Sequence, residues 1–423
     1  MMRWPFTKTC FNWSDNRVKI TAVPQMINVE PLNSATILLL GNYLPDGQRS
    51  MQRFTHLLAE GLTARGITVE VFCPPVVVGK LGAKGHGFGK WLGYVDKYLL
   101  LPFFLRRKLR SISGPCVVHI CDHSNAPYTR WLSDTPHLVT CHDLLAVRSA
   151  LGEIELNQVS MTGKQQQAMI LRGLKRSACI ASVSGATRDD VARLVGPHTR
   201  LLHVIANALD DAFIQESKKP SAVAPLPEDL LKLPEGANYL MHIGGEKWYK
   251  NRAAVLAIFS HMARTDHSLH LVIVGPRFSE ERIKEHGCFG LTGRIHYLAD
   301  ISDSQLRALY TAAELLLFPS WLEGFGWPIL EAQACGCPVA TLDRAPMNEL
   351  NAIPALKWDA SEADSTWTET AAAQCLDYLQ LDATEKQRAQ AAMKTFASHY
   401  SNESAIDAYL TLYQELLTPG LES

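Results

Sequence analysis

Short apolar runs recur along the chain, each closed by polar or turn-forming residues, and helical spacing fills many of the intervals. The clearest run is Leu315 to Phe318, closed by Pro319 and Ser320, the unbroken form of a strand buried on both faces. A loop, 321–327, follows it and carries Gly324 and Gly326. Pro328 suits a first helical position, where its missing N–H would have been unpaired anyway. Ile329, Leu330, Ala332 and Ala334 continue that helix, Gly336 closes it, and Cys337 to Ala340 begins another buried strand. The same reading predicts strands over 36–40, 68–72, 116–120, 137–141, 178–183, 201–205, 239–243 and 294–298. Helices are predicted over 50–65, 165–176, 250–264, 303–312, twice within 362–399, and over 404–417. Alternating strands and helices define an α/β protein with parallel, doubly wound sheets. Ligands bind at the carboxyl ends of such strands, which is where the 321–327 loop falls.

At 423 residues the chain has room for two or three domains. The expected division is an arm over 1–33, a first domain over 34–210, a Pro-, Lys- and Glu-rich linker over 211–236, a second domain over 237–400 and a final helix within 401–423. A hydrophobic content of 47% and a charged content of 20% are those of a soluble globular protein. No apolar run is long enough to span a membrane, and the first residues lack a signal-peptide core. Ten cysteines form no C-x-x-C pair, and several (Cys73, Cys116, Cys141, Cys179) lie in apolar runs, which suggests reduced, buried thiols in a cytoplasmic protein. Cys335 and Cys337 have no partners at zinc spacing, so a packing role is expected and no metal site.

The net charge of −1 hides an asymmetry: residues 1–200 hold 24 Lys and Arg against 13 Asp and Glu, the remainder 17 against 29. A basic half calls for an anionic partner. No nucleic-acid-binding motif accompanies it, which leaves a phospholipid surface or a pyrophosphate-linked acceptor. Residues 91–110 combine aromatics, an apolar centre and the cluster Arg106, Arg107, Lys108 and Arg110. Two readings stand open: a segment lying on a membrane surface, or a core helix ending in solvated charges.

Glu323 and Glu331 frame the 321–327 loop. The amino end of a helix favours an anion such as phosphate, and two carboxylates beside a phosphate would repel it unless they faced neutral hydroxyls. A nucleotide-sugar, with phosphates in its middle and hydroxyl-rich rings at both ends, resolves the conflict. The plain alternative is a pair of helix-start glutamates favoured by the dipole alone. Gly47 sits in the loop after the first strand, which is not G-x-G-x-x-G and so argues against a dinucleotide-binding dehydrogenase. It permits a close backbone approach or an ordinary Asp-Gly turn. His142 ends the strand LVTCHD, placed to donate to a sugar hydroxyl or to serve structurally. His119 and His123 flank another strand end. Lys250, after Gly245 and the strand 239–243, can neutralise a diphosphate as a point charge. Trp321 and Trp327 suit stacking on a ring or core packing.

The string EGFGWPILEAQACGCPV, with the preceding Pro319-Ser320, resembles the signature of glycosyltransferase family 4, retaining enzymes of the two-domain GT-B fold. The resemblance spans about 36–417, strongest at 314–341 and weakest before 140. It implies two Rossmann-like domains facing a cleft, with the C-terminal helix crossing back to the first. The activity implied is a metal- and cofactor-independent transfer of a hexose, mannose among the candidates, from a nucleotide-diphosphate sugar. The acceptor would be a glycan or lipid-linked molecule in polysaccharide or lipopolysaccharide assembly at the cytoplasmic face of a membrane. By this resemblance Glu331 holds the ribose diol, and Glu323 with the Gly324, Phe325 and Gly326 backbone holds the donor sugar. Lys250 stabilises the departing diphosphate, Gly47 and Gly245 lie near the phosphates, and His142 matches the family's His-Asp pair. Departures are Gly245 or Tyr249 where an arginine is expected, with Lys247 or Arg277 as substitutes, and Ala206 and Ala208 for a proline and a glycine. Glu349 is expected to be structural, at the far edge of its domain. A nucleotide-sugar epimerase of the same fold and a non-catalytic partner subunit are the competing readings.

Overall fold

A computed structural model describes residues 32, 34–81, 88–196, 201–215, 233–234, 236–361, 364 and 366–418. Of the expected arm only residue 32, and of the expected linker only 211–215, 233–234 and 236, fall among these residues.

Among the described residues the strands form two six-stranded parallel sheets. The first holds β1 (Thr36–Leu40), β2 (Thr68–Phe72), β3 (Cys116–Ile120), β4 (His137–Cys141), β5 (Cys179–Ser182) and β6 (Leu201–Val204), in the order β2-β1-β3-β4-β5-β6. The second holds β7 (Asn238–Ile243), β8 (Leu269–Val274), β9 (Ile295–Leu298), β10 (Leu315–Phe318), β11 (Val339–Leu342) and β12 (Lys357–Trp358), in the order β12-β11-β10-β7-β8-β9. Every residue of β1 and β10 is buried, as unbroken apolar strands covered on both faces must be, whereas edge strand β2 is partly exposed.

The helix Arg49–Ala64 packs on the last helix, Asn402–Leu417. Gly61 allows the approach: a Cβ there would lie 2.5 Å from Ile406. Ile406, Tyr409, Leu410 and Tyr413 of the last helix share one apolar cluster with Ile37, Phe54 and Val117 of the first sheet's domain, so this helix does cross back. His119 anchors it, with Nδ1 2.7 Å from the Tyr413 hydroxyl and Nε2 2.7 Å from Thr140 Oγ1. Complete burial pushes this imidazole down to about 3, so His119 is a neutral docking residue. The chain crosses between the sheets at two adjacent places, where the Leu209 N–H donates to the Tyr400 carbonyl and Leu209 bridges to Ser401.

Two boundaries differ from expectation. Lys250 does not open the helix but ends a 3-10 turn, Trp248–Lys250; Asn251 takes a left-handed conformation (φ 48°), and the helix runs Arg252–Thr265. Asparagine tolerates that conformation, so the turn keeps Lys250 off the helix. The helix expected over 165–176 spans Met161–Leu174, its amino end set by Ser160, whose side chain accepts from the Gly163 N–H.

Candidate active site

In an open parallel sheet the loops on either side of the point where strand order reverses leave a crevice at the carboxyl edge. In the second sheet that point lies between β7 and β10. The loop after β7 brings Lys250 and the loop after β10 brings Glu323, and Lys250 Nζ lies 2.6 Å from Glu323 Oε1, the side chains 19% and 10% exposed. The Trp321 N–H also donates to the Tyr249 carbonyl at 2.8 Å, joining the two loops. The first sheet reverses between β1 and β3, and there too side-chain bonds close the gap: Asn42 Nδ2 donates to Asp122 Oδ2 at 2.5 Å, and Asn125 Nδ2 donates to Asn42 Oδ1 at 2.9 Å. Gly47, with φ 66°, ends the 3-10 turn Leu44–Asp46 beside it.

Gly326, at φ 115°, caps the helix Trp327–Ala334, a backbone conformation L side chains rarely adopt. Glu331 falls on the buried side of this helix. Its Oε1 accepts from Arg53 Nη1 at 2.7 Å and its Oε2 from the Tyr310 hydroxyl at 3.3 Å. Burial pushes the Glu331 carboxyl above its ordinary range, against the opposing pull of Arg53. Burial is the largest influence and works against the Arg53 charge, but Glu331, with Asp210 and Asp303 beyond it, outweighs it and leaves that pKa raised. The guanidinium lies over the rings of Phe213 and Trp327, 5.6 and 5.7 Å from their centroids. Each glutamate thus carries its own cation. The repulsion that two carboxylates would exert on a phosphate is largely cancelled by these pairs as well as by ligand hydroxyls.

The loop after β10 rests on the first domain. A Cβ at Gly324 would lie 2.0 Å from the His142 carbonyl oxygen, and Ser184 Oγ donates to the Gly324 carbonyl at 2.8 Å. His142 Nε2 lies 2.9 Å from the Cys121 carbonyl, so that nitrogen carries the proton and donates; Nδ1 is buried without a partner. Burial lowers the His142 pKa, with Asp122 pulling the other way, and the ring is neutral near pH 7. Nε2 is committed to Cys121 and Nδ1 carries only a lone pair in a buried position, so the expected donation to a sugar hydroxyl is corrected: neither ring nitrogen can make it.

Glu349 is corrected as well. It is exposed and accepts from the Gly185 backbone at the start of the first domain's helix Gly185–Val195, so it spans the cleft and is not at a far edge. Of the expected substitutes for the arginine, Lys247 is exposed and Arg277 stacks on Tyr297 at 4.9 Å. Trp321 packs on Trp367 and under Arg344, and Trp327 Nε1 donates to the Ala208 carbonyl at 3.0 Å, so both tryptophans are engaged internally. The Phe325 ring is buried against Trp327 and Tyr400, which leaves its backbone N–H as the group able to meet a ligand. A side chain at Gly245 would meet nothing within 4 Å, so the backbone there is open. Among the described residues no group of three or more His, Cys, Asp or Glu is arranged to hold a metal ion. Arg53 is the site residue that sequence reasoning missed. Its only signal was a position one turn into the helix that follows the Gly47 loop.

Two sheets joined by a returning helix, with a site at the switch point of the second, define the GT-B architecture. A solved structure with this fold is sucrose-phosphate synthase from Thermosynechococcus elongatus, at 17% identity and a TM-score of 0.64 over 90% of this chain and 99% of that one. The family model "Glycosyltransferase Family 4" matches residues 51–213, and "Glycosyl transferases group 1" matches residues 229–352. The chain belongs to glycosyltransferase family 4, group 1. Similar curated proteins include O-antigen chain mannosyltransferase B of Escherichia coli, 29% identical over 56% of this chain and 62% of that one. O-antigen chain mannosyltransferase RfbU of Salmonella typhimurium is 24% identical over 43% of this chain and 47% of its own. The chain thus spans about half the length of the curated relatives it matches.

Proposed function

We propose that the chain is a retaining hexosyltransferase. It moves a hexose from a nucleoside-diphosphate sugar to a glycan or lipid-linked acceptor in cell-surface polysaccharide or lipopolysaccharide assembly. Mannose is the first hexose to test, because relatives in both E. coli and Salmonella are named O-antigen mannosyltransferases. The observation that carries the proposal is the meeting of Lys250 and Glu323 across the β7/β10 switch point, beside the start of the helix whose second turn bears Glu331.

In the reaction the acceptor oxygen attacks the sugar's C1 on the face from which the diphosphate departs. The C1–oxygen bond breaks, its electron pair stays on the phosphate, and that phosphate oxygen takes the acceptor's proton. Lys250 and the free N–H groups of the helix start oppose the charge that grows on the diphosphate. Glu323 and the Phe325 and Gly326 backbone hold the sugar, and Glu331 holds the ribose. His142 backs the Gly324 loop through its carbonyl and so helps to place the sugar site. No metal is needed in this scheme, since Lys250 supplies the positive charge. The test is thermal-shift screening of the full chain against UDP-, GDP- and ADP-sugars, followed by transfer assays with the sugar that binds. One base should raise the melting temperature. No shift with any of the three would remove the proposal.

The lipid-linked part of the reading draws on residues 91–110. Helices Phe88–Val95 and Leu101–Ser111 join through a π-helical turn, Asp96–Leu100. Buried Asp96 fixes this turn by accepting from the Tyr43 hydroxyl and from the Val77, Val78 and Gly79 N–H groups. Trp91, Leu99 and Phe103 are 62%, 71% and 66% exposed, and Arg106, Arg107 and Arg110 are exposed beyond them. Apolar side chains toward acyl chains with arginines among headgroups suit peripheral attachment to an anionic leaflet at the cytoplasmic face, at about 1 kcal/mol per basic residue. No described helix is long and apolar enough to cross a membrane. The protein is expected to co-sediment with phosphatidylglycerol vesicles and not with phosphatidylcholine vesicles. Phe103→Ser should weaken that binding, and equal behaviour with both lipids would contradict it.

A further inference from the structure

Arg53 belongs to the first domain, yet it reaches the second domain's Glu331, 278 residues further along the chain. It sits in the second turn of the helix Arg49–Ala64, just after the Gly47 turn at the carboxyl end of β1. Phe213 and Trp327 flank its guanidinium, and Trp327 is itself fixed by its bond to Ala208. Only Nη1 is matched to an acceptor; Nε and Nη2 are buried with no hydrogen-bond partner. A guanidinium offers five N–H donors in a rigid fork suited to carboxylate or phosphate, and buried donors are rarely left unmatched. The unmatched side of the fork suits an anion.

Glu331 now has one oxygen on Arg53 and the other on Tyr310. A ribose diol needs both oxygens, so a nucleoside entering here competes with the guanidinium. An arginine displaced from its carboxylate while still enclosed by Phe213 and Trp327 would keep only the longer-range attraction of Asp210 and Asp303 unless the ligand carried an anion. A nucleoside does not. A nucleoside diphosphate does, a bond or two from the ribose. We propose that Arg53 is the second cation of the donor site, resting on Glu331 before the donor binds and passing to the donor's diphosphate when the ribose takes Glu331. It thereby fills the role left open by Gly245 and Tyr249. Because it comes from the first domain, it also makes the diphosphate a tie between the two domains. This inference rests on the donor reading proposed above.

The test is calorimetric titration of the full chain with UDP, GDP and ADP and with uridine, guanosine and adenosine. For the base that binds, Arg53→Ala should lower diphosphate affinity about tenfold, the loss of one charge-assisted contact. Nucleoside affinity should stay the same or rise, because the competitor for Glu331 is gone. Arg53→Lys, which keeps the charge and loses the fork, should recover part of the diphosphate affinity and serves in place of the alanine variant if that one does not fold. An unchanged diphosphate affinity, or equal losses for diphosphate and nucleoside, would overturn the assignment of Arg53 and leave the donor reading intact. If the unaltered chain binds none of the three diphosphates, the donor reading itself fails, and this inference with it.

Discussion

Replacing Lys250 with alanine lowers the transfer rate at saturating donor by at least about tenfold, or about 1.4 kcal/mol of transition-state stabilisation. The ammonium lies 2.6 Å from Glu323 in a mostly enclosed position, where few other charges can take its place. Its contribution grows as the C1–oxygen bond breaks and charge collects on the diphosphate, so kcat falls more than the affinity for donor. Removal also leaves Glu323 enclosed without its cation, so the melting temperature should drop as well. Propylammonium added to the alanine variant should restore part of the rate, and propanol should not. Equal rescue by both, or a rate within twofold of the unaltered protein, would show that Lys250 is a structural lysine.

Gly324→Ala carries the second large effect. The added methyl would sit 2.0 Å from the His142 carbonyl oxygen and 2.9 Å from Asp143 Cβ, atoms of another domain. The oxygen is backbone at buried His142 and has no rotamer to yield, so the domains must part. Parting moves Glu323 and the helix start away from the first domain and breaks the Arg53 contact with Glu331. A shift of about 1 Å in a catalytic arrangement costs on the order of a hundredfold in rate. The expected result is a hundredfold loss with each sheet still folded and with a larger radius in X-ray scattering. An unchanged rate would mean that the closed contact plays no part in the reaction.

The second sheet was the more legible in the sequence. Its central strand is a pure apolar run, Leu315 to Phe318, and the Gly326-Trp-Pro328 start and Gly336 stop of the next helix are local signals that survive in the fold. The Lys250–Glu323 meeting follows from strand order alone once both residues are placed at the carboxyl ends of neighbouring strands. What could not be read were contacts made between domains. Arg53 looks like any exposed charge on an amphipathic helix, because its partner is 278 residues away. Glu349 looked peripheral because Gly185, its partner, belongs to the other sheet. His142 was placed correctly at a strand end, but its ring is held by the Cys121 carbonyl of the adjacent strand, which no local pattern contains. The helix start at Arg252 turned on one left-handed residue, Asn251, that a lysine-first reading passed over.

Nucleotide position is the measurement that bears most directly on all of this. A crystal soaked with the nucleoside diphosphate that binds is expected to show the ribose hydroxyls within hydrogen-bond distance of Glu331, a phosphate oxygen at Lys250 and the diphosphate facing the start of the helix Trp327–Ala334. Density for the nucleotide at the Asn42–Asp122 crevice of the first sheet, with Glu331 still bound only to Arg53 and Tyr310, would contradict it.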